Sequence, residues 1–189
     1  MEQKTIVVCD LSHCGTTMLT GIIQILGVSM VEDGYVGHSR EDNEIRNAAK
    51  AYRKKGDTDS LKEVIDRKNK EKDVWGFKLI NLWATDIIFE HLRNPIYLLI
   101  LKDPVSVTKR RLSRCDRGRL SNTLKRMIRA VKLTPIDTHF ISYLDAIVAP
   151  REFVCNIAEI IGIEPTEEQI DRAIKFIQPR IGYPLVEDE

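Results

Sequence analysis

The start of the chain constrains it most. Ile6-Val7-Val8-Cys9 is a short, uninterrupted apolar run, as expected of a strand covered on both faces. A turn of mostly small and polar residues carries the chain to Gly15. Met18, Leu19, Ile22, Ile23, Ile25 and Leu26 then recur at helical spacing, and Gly27 marks a C-terminal stop. Strand, tight loop and helix N-terminus form an anion site. The opening N–H groups of the helix point at the ligand, and the helix dipole favours negative charge there. Gly15 lets the backbone approach a phosphate closely, and Thr16 and Thr17 add hydroxyl donors.

The general nucleotide phosphate loop reads G-x-x-x-x-G-K-[ST]. Aligned on Gly15, this chain has Asp10 in place of the first glycine and Thr16 in place of the lysine. The residue that neutralises a β/γ-phosphate is missing, which weakens an ordinary ATPase or kinase reading. The plainer alternative is a strand-to-helix turn with no ligand.

With 189 residues the chain suits a single domain, 1–189, with a real core. No apolar run approaches the twenty or so residues that span a bilayer. The N-terminus lacks a charged segment followed by a long apolar one, so no signal peptide is expected. Cys9, Cys14, Cys115 and Cys155 show no close pairing. They suit a reducing, cytoplasmic setting better than a disulfide framework or a zinc site.

The formal net charge is +1, but ten Lys or Arg residues lie between Lys109 and Lys132 against a single acid, Asp116. The remainder of the chain is therefore net negative. Such a block is a surface for phosphate, polyanionic sugar or nucleic acid, or simply a solvated helix face. Few aromatics interleave with these charges, which speaks against stacking on nucleic-acid bases.

Further along, residues 28–39 read as a second strand and loop, and helices are expected from Arg40 to Lys55 and from Asp59 to Glu71. Val74 to Ile80 reads as a strand, Trp83 to Leu92 as a helix, and Ile96 to Leu101 as a central strand without a charge. Helices follow from Val105 to about Arg114 and from Leu120 to Lys132, and a last strand from Asp137 to Tyr143. Pro150 opens a helix ending near Gly162, and a capping box at Thr166 to Gln169 opens another that runs to about Ile177. Strands alternating with helices over short links imply a parallel sheet covered on both faces, with ligands beyond the strands' carboxyl ends. The loops after Cys9, Ile80 and Leu101 should share that rim.

Four stretches carry a resemblance. Cys14-Gly15-Thr16-Thr17-Met18-Leu19 resembles the 5′-phosphosulfate loop of PAPS-dependent sulfotransferases, with His13 where that family usually has Lys or Arg. Ile96 to Leu101 followed by Lys102-Asp103-Pro104 resembles the family's 3′-phosphate site, an apolar strand, then R-(D/N)-P and a later basic or Ser position, here Arg110. Gly37-His38-Ser39-Arg40-Glu41-Asp42-Asn43-Glu44-Ile45 is similar to an E-D-x-E-I element of bacterial members. Ala173-Ile174-Lys175-Phe176-Ile177-Gln178-Pro179-Arg180-Ile181-Gly182-Tyr183 is similar to their C-terminal A-x-x-F-I-x-P-x-x-G-Y, and Ser142-Tyr143 to the pair that closes their last strand.

The resemblance implies a three-layer, P-loop NTPase-like α/β fold with a central parallel sheet flanked by helices. It implies PAPS as donor and PAP as product. His13, Cys14, Gly15, Thr16 and Thr17 would hold the 5′-phosphosulfate, Lys102 and Arg110 the 3′-phosphate, and Arg180 would join the cofactor site. Glu41, or else His38, would be the base for an acceptor hydroxyl. His13 or Lys78 would stabilise charge on the leaving phosphate, Lys78 matching a family Lys after a W-G-x pattern. The transfer needs no metal. The acceptor, a small molecule or a glycan, is not named by the residues, although the basic stretch points to an anionic one. The short chain leaves an open acceptor side that a homodimer would complete. Two alternatives stay open: a PAP- or PAPS-binding module with little or no catalysis, and a P-loop phosphotransferase acting on small molecules.

Overall fold

A computed structural model describes residues 3–9, 13–30, 41–79, 85–111 and 117–177. Four parallel strands form one sheet: β1 (Lys4–Cys9), β2 (Val74–Leu79), β3 (Pro95–Leu101) and β4 (His139–Ser142), in the order β2-β1-β3-β4. The strand expected within 28–39 is reduced, among the described residues, to a parallel bridge between Ser29 and Trp75; residues 31–40 lie outside them.

Successive residues of a strand point to opposite faces. In β1 both sets are buried, Thr5, Val7 and Cys9 on one side and Ile6 and Val8 on the other. In β3, Tyr97 to Ile100 are likewise all buried. Both central strands are therefore covered above and below, which explains why their sequences are continuous apolar runs and not alternating ones.

Nine helices are described: α1 (Thr16–Ile25), α2 (Asn43–Lys55), α3 (Asp59–Glu71), α4 (Thr85–Glu90), α5 (Pro104–Arg111), α6 (Arg117–Leu133), α7 (Tyr143–Val148), α8 (Pro150–Ile161) and α9 (Glu167–Phe176). α1 packs on β1, β2, α8 and α9, so the helix opening at the candidate anion site is anchored on several sides. α8 begins with Pro150, whose missing N–H costs nothing in a first turn, and ends at left-handed Gly162. Lys4 Nζ donates to the last carbonyls of that helix, Ile161 O at 2.7 Å and Gly162 O at 3.1 Å, and so ties β1 to it. The capping box of α9 is present, with Thr166 Oγ1 accepting from Gln169 N and Gln169 Oε1 accepting from Thr166 N. The last strand stops at Ser142; Tyr143, expected in it, starts α7 instead.

Candidate active site

β1 ends at Cys9 and α1 opens at Thr16. Between them His13 (φ 75°) and Gly15 (φ 104°) are both left-handed. Two constraints select glycine at 15. Its φ disfavours any side chain, and a Cβ would stand 2.5 Å from Cδ2 of Tyr143. Leu19 N–H donates to Gly15 O at 3.0 Å, so the N–H groups of the first turn of α1 precede the helix's own bonding. The N-cap position is Gly15, which has no side chain to cap with, and the first turn of α1 carries no acid. Cys14 and Thr16 are 1% and 3% exposed, so their side chains pack inward, while His13 and Thr17 are half-buried at the helix mouth.

Lys78 lies on β2 opposite Val8 of β1 and is 8% exposed. Its Nζ donates to Thr17 Oγ1 at 3.4 Å. An ammonium is thus brought to the first turn of α1, where the helix dipole is already positive. Positive charge from the ammonium and from the helix dipole is thus concentrated in one nearly buried corner. The donor set here is cationic, hydroxyl and N–H, the chemistry of a phosphate or sulfate site.

The end of β3 lies beside that of β1 in the sheet, Cys9 pairing with Leu99. Lys102 follows it. Its Nζ stands 4.1 Å from the centroid of the Tyr143 ring, a cation–π contact. The same ring covers Gly15, so Tyr143 links the loop after β1 to the loop after β3. Asp103 Oδ2 accepts from Ser106 N at 2.6 Å in the manner of an N-cap for α5. That backbone bond, helped by the Ser106 side chain, draws the Asp103 carboxyl below its ordinary range. Asp103 and Pro104 therefore start a helix, and Lys102 is left at the rim. Arg110 falls in the last turn of α5.

The acidic run divides. Asp42 caps α2, accepting from Ile45 N at 3.0 Å, and pairs with Lys68 Nζ at 2.8 Å. Glu44 also meets Lys68, at 3.1 Å. These two acids tie α2 to α3. Burial opposes ionisation of Glu44, but Lys68 and Arg67 outweigh it, and its pKa lies below the usual value. Glu41 stands just before the cap and pairs with Arg46 Nη1 at 3.4 Å. His38 and Arg180 lie outside the described residues. Among the described residues no three His, Cys, Asp or Glu gather as metal ligands, and no helix is long and apolar enough to cross a membrane.

From the sequence Tyr143 reads only as the end of a strand. The signal that could have marked it is its place as the first residue past the carboxyl end of β4, on the ligand rim of a parallel sheet.

No protein-family model matches the chain, and no curated protein matches it. Solved structures do. The sulfotransferase domain from the curacin biosynthetic pathway superposes with a TM-score of 0.54 at 11% identity, over 92% of this chain and 78% of that one. Sulfotransferase STF1 from Mycobacterium tuberculosis H37Rv gives 0.53 at 13%, over 93% and 71%. Retinol dehydratase, solved with androsterone and the inactive cofactor PAP, gives 0.52 at 13%, over 93% and 64%. The fold is that of the sulfotransferases. It is the P-loop-like α/β architecture that the resemblance implied. This chain spans 64% of the length of the retinol dehydratase.

Proposed function

We propose that this chain is a PAPS-dependent sulfotransferase that moves a sulfuryl group to a hydroxyl acceptor. The observation that carries the reading is the convergence of Lys78 Nζ on the first turn of α1 behind left-handed Gly15. The fold shared with sulfotransferase structures supports it.

The donor set fits a phosphosulfate. PAPS would supply an activated sulfuryl group on a phosphate leaving group. In this reading the opening N–H groups of α1 and the Thr17 hydroxyl hold the 5′-phosphosulfate. Lys78 sets positive charge beside the leaving oxygen, with His13 at the helix mouth as the alternative. Lys102, steadied over the Tyr143 ring, and Arg110 hold the 3′-phosphate as charge-assisted donors. Arg180 belongs to the same cofactor site by the resemblance alone. Glu41 takes the acceptor's proton, with His38 as its substitute. The acceptor is a small molecule or a glycan.

Calorimetric titration with PAP, in parallel with ATP and magnesium, tests this on the wild type and on Lys102→Ala and Arg110→Ala. PAP binding that both variants weaken and ATP does not match is the expected result. Magnesium-dependent ATP binding without PAP binding would instead favour the phosphotransferase. Transfer of labelled sulfuryl from PAPS to a panel of sugars and phenols then separates an enzyme from a binding module. Glu41→Gln should lower kcat by roughly 10²-fold or more if Glu41 is the base.

A further inference from the structure

Among the described elements α6 has the largest net positive charge. It carries Arg117, Arg119, Lys125, Arg126, Arg129 and Lys132 and no acid. Ala130 is its sole buried residue. α6 meets α5 along one side, where Thr108 Oγ1 donates to Thr123 Oγ1 at 2.9 Å. Met127 packs against the core, and Leu124, Lys125, Arg126, Ile128, Arg129, Val131 and Lys132 are exposed.

Its exposed face is not simply polar. Leu124, Ile128 and Val131 are 41%, 57% and 41% exposed. Their spacing, four residues and then three, sets them in one row along the helix. Each is followed directly by a cation, Lys125, Arg129 and Lys132, all exposed. One residue onward is about a quarter-turn of helix, so an apolar row runs beside a cationic one. Past the end of α6, Ile136 is fully exposed. A solvated helix has no reason to place Leu, Ile and Val in a row outside, and most helices in proteins depend on burying such a row.

We propose that α6 docks this chain on an anionic lipid surface, its apolar row entering the headgroup boundary and its cations meeting lipid phosphates and carboxylates. Charge complementarity selects this occupant. A second copy placed α6 against α6 would oppose six cations with six more. Nucleic acid would satisfy the cations and leave the apolar row in water. A lipid interface takes both rows at once, and the long Lys and Arg stems let their heads reach outward from it. The proposal does not rest on the sulfotransferase reading.

The test is co-sedimentation of the full chain with vesicles of phosphatidylcholine alone or mixed with phosphatidylserine, at low and high salt. Two surface variants are run beside it, Lys125→Glu/Arg129→Glu and Leu124→Ser/Ile128→Ser, with circular dichroism and thermal melting to show that both remain folded. Binding is expected only with phosphatidylserine. The charge variant should lose roughly tenfold or more in affinity at low salt, and the apolar variant should lose a comparable amount at both salts. Failure to bind phosphatidylserine vesicles would overturn the proposal. So would binding to heparin or duplex DNA that the apolar variant leaves unchanged, or a dimer in analytical ultracentrifugation that this variant dissolves.

Discussion

Lys78 Nζ and Thr17 Oγ1 stand 3.4 Å apart, joining β2 to the first turn of α1 although 61 residues separate them in sequence. Lys78→Met keeps most of the stem and removes the charge. On the proposed function, PAP affinity should fall and kcat should drop by roughly 10²-fold or more, the usual loss for an oriented donor at developing charge. Calorimetry, initial rates and a melting curve on one preparation decide it. An affinity and rate within about twofold of wild type would take Lys78 out of the site.

Gly15→Ala should cost stability twice over. A left-handed alanine costs roughly 1 kcal/mol, and the crowding of its Cβ against the Tyr143 ring, at 2.5 Å, adds about 1–3 kcal/mol. Urea unfolding of Gly15→Ala, Tyr143→Ala and the double variant separates the two costs. The double variant should recover the crowding and keep the backbone penalty, giving a coupling above about 1 kcal/mol. Additive single effects would mean that the ring moves aside freely.

The elements that sequence made legible are those whose local signals agree. Ile6 to Cys9 of β1 and Ile96 to Leu101 of β3 are apolar runs in strands covered on both faces, and α9 starts at a capping box that forms as expected. α7 was not legible. Ile141 and Tyr143 read as strand alternation, while the Ser142 side chain, accepting from Asp145 N at 3.4 Å, turns the chain into a six-residue helix. The residue types of the site were legible, but not all of its contacts. Lys78 reaches Thr17 because the sheet order places β2 beside β1, and no local pattern encodes that order. The link through Tyr143 likewise depends on where the rim of the sheet brings three distant segments. In the acidic run, the types favoured by a helix N-terminus and by catalysis are the same; the partners separate them, since Asp42 and Glu44 meet Lys68 of α3 and Glu41 meets Arg46 of α2.

Gly21→Ala gives an opposite result from the one helix propensity would suggest. Gly21 sits inside α1, where alanine should gain about 1 kcal/mol. A Cβ there would lie 2.3 Å from Cε1 of Phe176, the last residue of α9. Overpacking costs about 1–3 kcal/mol, so a net loss is expected and a lower Tm. Phe176→Leu in the same chain should return part of it. A Tm raised by Gly21→Ala alone would show that α9 can shift away from α1.

The α2–α3 clasp should show in the pH dependence of stability. Glu44 has its pKa lowered below 4.5, because Lys68 and Arg67 outweigh its burial. Its contribution is present above the unfolded value and is lost as pH falls through the folded one. Lys68 has its pKa raised above 10.5: burial disfavours its charge, but Asp42 and Glu44 together outweigh that cost. Its contribution is complete below the unfolded value and is lost as pH rises through the folded one. Lys68→Met leaves Asp42, whose side chain is 3% exposed, without its ion-pair partner, and should cost about 3 kcal/mol near neutral pH. The gap between wild type and variant in urea unfolding should be widest between those two limits and should narrow below pH 4.5 as Glu44 takes up a proton. A gap that stays constant from neutral to acid pH would assign the loss to packing of the lysine stem and not to its charge.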